Sequence, residues 1–368
     1  MKILLLEPFF TGSHANWARG VADYSGHEVK ILSLSGKYWK WRMHGGAHSL
    51  ATEYLKSDFE ADLILASDML DLGLFLALAR KKVMDTAVAI YFHENQLVYP
   101  WSPEDADVSL KRDRHYAFIN FSSARVADRV FFNSQYHLEA FFEALPSFLK
   151  VFPDQRQLEA VEEIRRKSEV LPLGLQLSYF DSFRPKQKEA SEIPIILWNH
   201  RWEYDKDPDT FFEVLFRLKE EGEPFKLIVA GEAYQRQLSI FGKAQKVLEE
   251  EILHWGYVES QEAYAKLLFQ SDILAVTSLH DFFGVSVVEG IYCGLYPILP
   301  QRLAYPEHIP PKFHDQYLYQ EKEELYQKLS HLLQTPNQID PHPALQSEVW
   351  RYDWGQISSK YFEILRGI

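Results

Sequence analysis

Apolar residues along this chain fall into short runs separated by polar loops, and the runs alternate with stretches whose apolar positions recur at helical spacing. Residues 2–6, 28–34, 61–66, 87–92 and 129–132 read as strands in the first half, and 193–198, 225–230, 252–257, 272–277 and 296–299 in the second. Between them, 15–24, 70–80, 111–127 and 321–333 read as helices, with a longer one expected after Gly231-Glu232 and a last one at 354–365. Strands and helices in alternation predict an α/β fold with parallel sheets. The polar, proline-containing stretch 171–192 is the best boundary, dividing the chain into domains 1–175 and 190–350 and a closing segment 351–368. Charged residues from 159 to 167 read as the solvated face of a helix.

The most informative loop lies in LHDFFGVSVVEGIYCGLYPILP, from Leu279 to Pro300. His280 and Asp281 end an apolar strand, Phe282-Phe283-Gly284 turns the chain, a helix begins near Val285, and Cys293-Gly294 closes it. A helix that starts at a glycine turn offers unpaired amides and the positive end of its dipole, so the amides of Gly284 and Val285 suit a diphosphate. Asp281 and Glu289, eight residues apart, can face one ligand, and carboxylates accept hydrogen bonds from sugar hydroxyls. The expected ligand is part sugar and part phosphate.

Other loops add candidates. Arg201 and Lys206 stand between a strand and Asp207-Pro208, which reads as an N-cap and first helical residue. A guanidinium fork and an ammonium point charge there can converge on a diphosphate. Asp205 and Asp207 form a D-x-D, but capping explains Asp207 better than metal binding does. His44 and His48 have metal-like spacing, yet Gly45-Gly46 between them weakens a helix and no third ligand is evident, so no metal is expected. Gly12, Ser13 and His14 repeat the strand, glycine loop and helix arrangement, with Ser13 also a candidate helix cap. No dinucleotide-binding glycine fingerprint or Walker loop is present. His93 ends a strand and is followed by Glu94 and Asn95, at the end of a parallel strand where open sheets bind ligands, although buried histidines also serve as core. Lys37-Tyr38-Trp39-Lys40-Trp41-Arg42 alternates aromatic and basic residues, which suits base stacking with phosphate contact; a short strand with Trp39 and Trp41 packed inward is the alternative.

Composition narrows the class. The 368 residues, 46% hydrophobic and 25% charged, suffice for two α/β domains with cores. A net charge of −13 argues against broad coating of nucleic acid and leaves a local basic site open, for which the basic start at Lys111, Arg112 and Arg114 is too small to suggest a lipid surface. No apolar run approaches the roughly 20 residues of a membrane span. The start MKILLLEPFF reads as a strand and not a signal peptide, and a single cysteine, Cys293, excludes an internal disulfide. These features together suggest the cytosol.

The Asp281, Phe283-Gly284, Glu289 and Cys293-Gly294 pattern before a strand resembles the retaining GT-B glycosyltransferases, in which the first acid is usually Glu. The segments EPFFTGSH, KYWKWR, YFHENQLVYP, HRWEYDKDP, HWGY and HDFFGV through YCG are more specific, and the chain resembles the tRNA-queuosine α-mannosyltransferase family over nearly its whole length. That resemblance implies two Rossmann-like domains facing across a cleft, with the last helix crossing back to the first domain. It implies retaining transfer of mannose from GDP-mannose to the cyclopentene-diol of queuosine in tRNA, without a metal or other cofactor. Gly12 and Ser13 would touch donor phosphate, and His14 would lie nearer the acceptor. Tyr257 and Val258 would hold the base and Glu289 the ribose. Arg201, Lys206 and the amides at Gly284 and Val285, beside Phe283, would stabilise the leaving diphosphate, which itself takes the acceptor's proton. Asp281 and His93 would hold the transferred sugar, and Trp39, Trp41, Arg42, Asn95 and Tyr99 the acceptor. A lipid or glycan acceptor, or a non-catalytic binder of RNA or nucleotide sugar on the same fold, are the rival expectations.

Overall fold

A computed structural model describes residues 1–101, 105, 107, 114–186, 193–232 and 238–368. Lys111 and Arg112, and the segment directly after Glu232, lie outside the described residues. The chain forms two compact units: Met1–Leu175 together with Trp354–Ile368, and Gln176–Asp353.

The first unit runs β1 (Lys2–Phe10), α1 (Gly12–Tyr24), β2 (Glu28–Ser35), α2 (Trp39–Lys56), β3 (Leu63–Ser67), α3 (Leu72–Val83) and β4 (Ala87–Phe92). It continues through α4 (Arg114–Val126), β5 (Arg129–Phe132), α5 (Gln135–Leu149), α6 (Glu159–Arg166) and β6 (Ser168–Val170). Its six strands lie in the order β2-β1-β3-β4-β5-β6, and all are paired in parallel. Strands covered by helices on both faces carry apolar side chains on both faces. Accordingly all five residues of β3 are buried, and Leu4, Leu6, Ile64, Ile90 and Phe132 meet Phe75 and Phe141 in one core.

The second unit runs β7 (Ile195–Trp198), α7 (Pro208–Glu220), β8 (Lys226–Ala230), α8 (Ser239–Val247), β9 (Ile252–Gly256), α9 (Gln261–Gln270), β10 (Ile273–Ala275) and α10 (Val285–Tyr292). There follow β11 (Tyr296–Pro300), α11 (His314–Tyr317), β12 (Leu318–Tyr319), α12 (Lys322–Gln334) and α13 (Pro343–Trp350). Its sheet is again parallel, in the order β12-β11-β10-β7-β8-β9. In each sheet the chain reverses its direction of strand addition once, between β1 and β3 and between β7 and β10. Open α/β sheets bind ligands at the carboxyl ends of the strands flanking such a reversal.

Three expectations need correction. Residues 39–42 open a helix and not a strand, because Trp39, Met43, Ala47, Leu50, Ala51 and Tyr54 repeat at helical spacing and turn their apolar side inward. Trp41 falls off that stripe and is 64% exposed. Gly45 and Gly46, which weaken a helix by propensity, lie inside α2 for packing reasons: a Cβ at Gly45 would meet the Trp41 ring at 2.6 Å, and one at Gly46 would meet Pro8 at 3.0 Å. Ser13 does not cap α1. Thr11 occupies the N-cap, without a side-chain hydrogen bond. The helix described after Gly231-Glu232 is short, covering Ser239–Val247. Among the described residues no helix is long and apolar enough to cross a membrane.

The last helix, α14 (Trp354–Arg366), belongs to the first unit through an aromatic wedge. Trp354 fits over two glycines, since a Cβ would approach its indole to 2.1 Å at Gly20 and to 2.5 Å at Gly174. Its amide donates to Leu175 O at 2.8 Å. Two turns further along, the Tyr361 hydroxyl accepts from Trp17 Nε1 at 3.2 Å and donates to Pro172 O at 2.9 Å. Alanine is favoured over glycine in a helix by about 1 kcal/mol, whereas overpacking a fitted core costs about 1–3 kcal/mol. At Gly20 the obstacle is a rigid buried ring, so the second effect wins. Gly20→Ala is therefore expected to lower the thermal unfolding midpoint by several degrees, and a raised midpoint would show that the wedge does not hold α14.

Candidate functional site

In the second unit the loops after β7 and β10, which flank the reversal, are bound to each other. Asp207 adopts φ 48° and caps α7 by accepting from Thr210 N at 3.3 Å. The Thr277 hydroxyl donates to the carbonyls of Lys206 and Asp207 at 2.8 and 3.0 Å. The amides of Leu279 and His280 donate to Asp205 O at 2.8 and 3.2 Å. So fixed, Lys206 is only 7% exposed, and its Nζ donates to His280 O at 2.7 Å and lies 3.4 Å from Asp281 Oδ2 and 3.2 Å from Asp205 Oδ2.

Asp281 joins that ammonium to the helix. Its Oδ1 accepts from Gly284 N at 2.7 Å and from Phe283 N at 3.2 Å, while Tyr305 Oη lies 3.4 Å from Oδ2. Gly284 takes φ +84° at the N-cap of α10 and lies close under Tyr305, so a side chain there would be both strained and crowded. Burial would raise the Asp281 carboxyl, yet Lys206, the Phe283 amide and the nearby histidines hold it at about 2. Burial first, and then the Lys206 charge, keep His200 and His280 neutral, at about 3 and about 4.

These contacts revise two assignments. The amides of Phe283 and Gly284 are occupied by Asp281, because a short acidic side chain reaches amides two and three residues ahead. The amides of Val285 and Ser286, the first two positions of α10, have no acceptor within the helix. Phe283 itself is core, packed edge-on to His308 and Tyr352 at ring distances of 5.3 and 5.0 Å, and does not offer its ring to a ligand.

Glu289 lies one turn into α10 and accepts from Tyr264 Oη at 3.1 Å. Asn199 Nδ2 donates both to Tyr264 Oη and to Ser286 O, at 2.9 and 3.1 Å, so Glu289 belongs to the same network. Burial raises its carboxyl to about 7, against the lowering effect of Tyr264. Arg201 remains on the loop after β7, 45% exposed, with Glu203 at 3.6 Å and Asp205 at 3.9 Å. Tyr257 and Val258 follow β9, two strands away from the reversal, and Tyr257 is 63% exposed. No sequence pattern marks Tyr264 or Tyr305, since a lone tyrosine in an apolar helix or loop reads as core.

In the first unit the strand ends beside the reversal carry a second polar group. His14, His93 and Asn95 are buried together, with the rings of His14 and His93 4.1 Å apart. Glu7 and Asp68, neither a candidate from the sequence, complete it: Glu7 Oε2 lies 3.0 Å from His14 Nδ1, and Asp68 Oδ1 accepts from His93 N at 2.8 Å. Glu7 opens the EPFFTGSH segment, but as a site residue it shows only as an acid inside an otherwise apolar strand. Gly12 and Ser13 are exposed at the start of α1. Asn95 Oδ1 accepts from Leu97 N and Val98 N, and Tyr99 N donates to Asn95 O, so both build the turn after β4. Trp39 packs with Tyr116 and Trp101 at ring distances of 5.0 and 6.1 Å, apart from outward-facing Trp41, and Arg42 donates to Ser35 O and Oγ. His44 and His48 are exposed.

Comparison with known proteins gives these sites a context. Residues 2–175 match the family described as tRNA-queuosine alpha-mannosyltransferase N-terminal, and residues 180–342 match Glycosyl transferases group 1. A tRNA-queuosine alpha-mannosyltransferase of Drosophila melanogaster is 33% identical over 341 residues, covering 91% of this chain and 87% of the relative. Among solved structures, Anabaena HepE in complex with UDP and glucose aligns over 100% of both chains with a TM-score of 0.68 at 16% identity. Sucrose-phosphate synthase from Thermosynechococcus elongatus aligns over 100% of this chain and 98% of its own, with a TM-score of 0.72 at 14% identity. Those structural likenesses show the GT-B glycosyltransferase fold. With the sequence relationship they establish that the chain is a glycosyltransferase and belongs to the tRNA-queuosine alpha-mannosyltransferase family.

Proposed function

We propose that the protein moves mannose from GDP-mannose, with retention, to the cyclopentene-diol of queuosine in tRNA, in the cytosol and without a metal ion. The observation that carries the donor half is the convergence of Lys206 and the start of α10 on one place through Asp281. An ammonium beside oriented amides stabilises charge that develops on a leaving diphosphate, and a site already organised does so without rearranging in the transition state. Arg201, on the same loop and half exposed, adds a guanidinium fork. Glu289, within reach of Ser286 through Asn199, suits a ribose hydroxyl. The leaving phosphate then takes the proton of the attacking hydroxyl. The acceptor half is supported by the family relationship and by the His14, His93 and Asn95 group in the first unit.

Incubation with radiolabelled GDP-mannose should place label on queuosine-containing tRNA and leave queuosine-free tRNA unlabelled. Label on both, or on neither, would contradict the acceptor assignment. Lys206→Ala is expected to reduce turnover by about a hundredfold or more, as removal of a comparable transition-state donor does. Undiminished turnover in a folded variant would remove Lys206 from the diphosphate site.

Glu289 also predicts a pH dependence. Its carboxyl titrates higher in the folded protein, at about 7, than in an unfolded chain. Stability from this group is thus fully present below the unfolded value and is lost as pH rises towards 7. Glu289→Gln keeps an acceptor for Tyr264 and removes the buried charge. It should raise the unfolding midpoint by a few degrees at pH 8 and leave it unchanged at pH 4; the same gain at both would show that the effect is not titration.

A further inference from the structure

Donor chemistry leaves unused a buried polar group at the sheet reversal of the first unit. Glu7 is fully buried within β1, its Oε1 accepts from Phe9 N at 2.9 Å, and its Oε2 pairs with His14 Nδ1 at 3.0 Å. His14 stacks on His93 with ring planes tilted by 34°, and His93 is held from behind by Trp17 and Tyr91 at ring distances of 4.8 and 4.9 Å. Three buried atoms around this pair have no hydrogen-bond partner among the described residues: His93 Nε2, Asp68 Oδ2 and Asn95 Nδ2. Leaving such atoms unmatched costs about 1–3 kcal/mol each, so a cluster of three at a ligand-binding position of the fold points to a polyhydroxy ligand that satisfies them.

We propose that Glu7 is a positioning residue for the acceptor diol. It acts through His14, fixing one ring nitrogen so that the other presents an N–H to a diol oxygen, while His93 Nε2, which the resemblance would give to the transferred sugar, joins Asp68 and Asn95 in receiving the neighbouring hydroxyl. The inference rests on the acceptor assigned under Proposed function.

Charge supports the geometry. Burial alone would lower His14, but Glu7 by charge and hydrogen bond, then Asp68 and Glu94, raise it to about 9, so it is an imidazolium at neutral pH. His93, facing it, is held well below its ordinary value by burial and by the charges of His14 and His137, and stays neutral. A cation and a neutral ring side by side give a fixed donor and a group with one donor and one acceptor, a match for two adjacent hydroxyls. Glu7, His14 and His93 also place three potential metal ligands within 4.8 Å of one another. Stacked rings do not aim their in-plane lone pairs at one point, however, and the Glu7–His14 contact has the length of a hydrogen bond with a proton between the two groups.

The test measures transfer to queuosine tRNA from pH 6 to 10 for the wild type and for Glu7→Gln, which is isosteric and keeps an acceptor for Phe9 N. Wild-type activity should hold until near pH 9 and then fall. In Glu7→Gln the alkaline fall should move down by about two pH units, with activity recovered at pH 6. At pH 8 the KM for tRNA should rise by about tenfold while the KM for donor stays unchanged. A merely structural role predicts equal loss at every pH and in both KM values, and that result would overturn the proposal. So would stoichiometric zinc that co-purifies with the wild type and is lost in Glu7→Gln. Nitrogen-15 NMR of the histidines decides the Glu7–His14 coupling without turnover: His14 should titrate near 9 in the wild type and below 7 in Glu7→Gln, and an unmoved titration overturns it. Wild type that transfers nothing to queuosine tRNA removes the acceptor assignment instead, and with it the diol role given to Glu7.

Discussion

The second unit depends on one junction, in which the Lys206 ammonium meets the Asp281 carboxylate while the same carboxylate caps the start of α10. A buried ion pair loses hydration on both sides, and good geometry with further hydrogen bonds must offset that loss. Both conditions are met: Lys206 also donates to His280 O, and Asp281 also accepts from Phe283 N. The junction fixes two loops that are far apart in sequence at the point where the sheet changes direction. It thereby ties the Lys206 ammonium and the start of α10 to one carboxylate, the pairing on which the proposed diphosphate site rests.

Both units apply the same rule with different chemistry. Each reverses once, and each gathers buried polar side chains at the strand ends beside the reversal. The second unit holds the Lys206 ammonium between Asp205 and Asp281 beside two neutral histidines, with the Arg201 guanidinium on the same loop. The first surrounds two stacked histidines with Glu7, Asp68 and Asn95, which suits hydroxyl groups. A hollow of about 450 Å³ lined by Phe118, Phe121, Val126 and Phe152 lies among none of these residues and is mainly apolar.

Much of this could be read from the sequence, and the omissions have physical causes. Buried parallel strands are short continuous apolar runs, so most stood out, whereas β6, the half-buried and mostly polar Ser168–Val170, and the two-residue β12 have too little apolar pattern to register. The Asp207 cap and the Gly284 turn were legible because left-handed backbone and helix starts demand particular residues. Helix α2 was obscured by Gly45 and Gly46, whose value lies in close packing against Trp41 and Pro8, a tertiary fact that propensity does not carry. Polar residues that follow strand ends, such as Lys206, Asp281 and His93, were visible as candidates. Their supporting partners were not: Glu7, Asp68, Tyr264 and Tyr305 act through contacts between residues remote in sequence.

The central claim is that Lys206 and the first amides of α10 hold the donor's diphosphate. A crystal structure of the protein with GDP tests it most directly. Diphosphate oxygens should lie within about 3 Å of Lys206 Nζ and of the Val285 and Ser286 amides, with Asp281 still capping Gly284. GDP bound with its diphosphate elsewhere, and the Lys206–Asp281 junction facing only solvent, would contradict it.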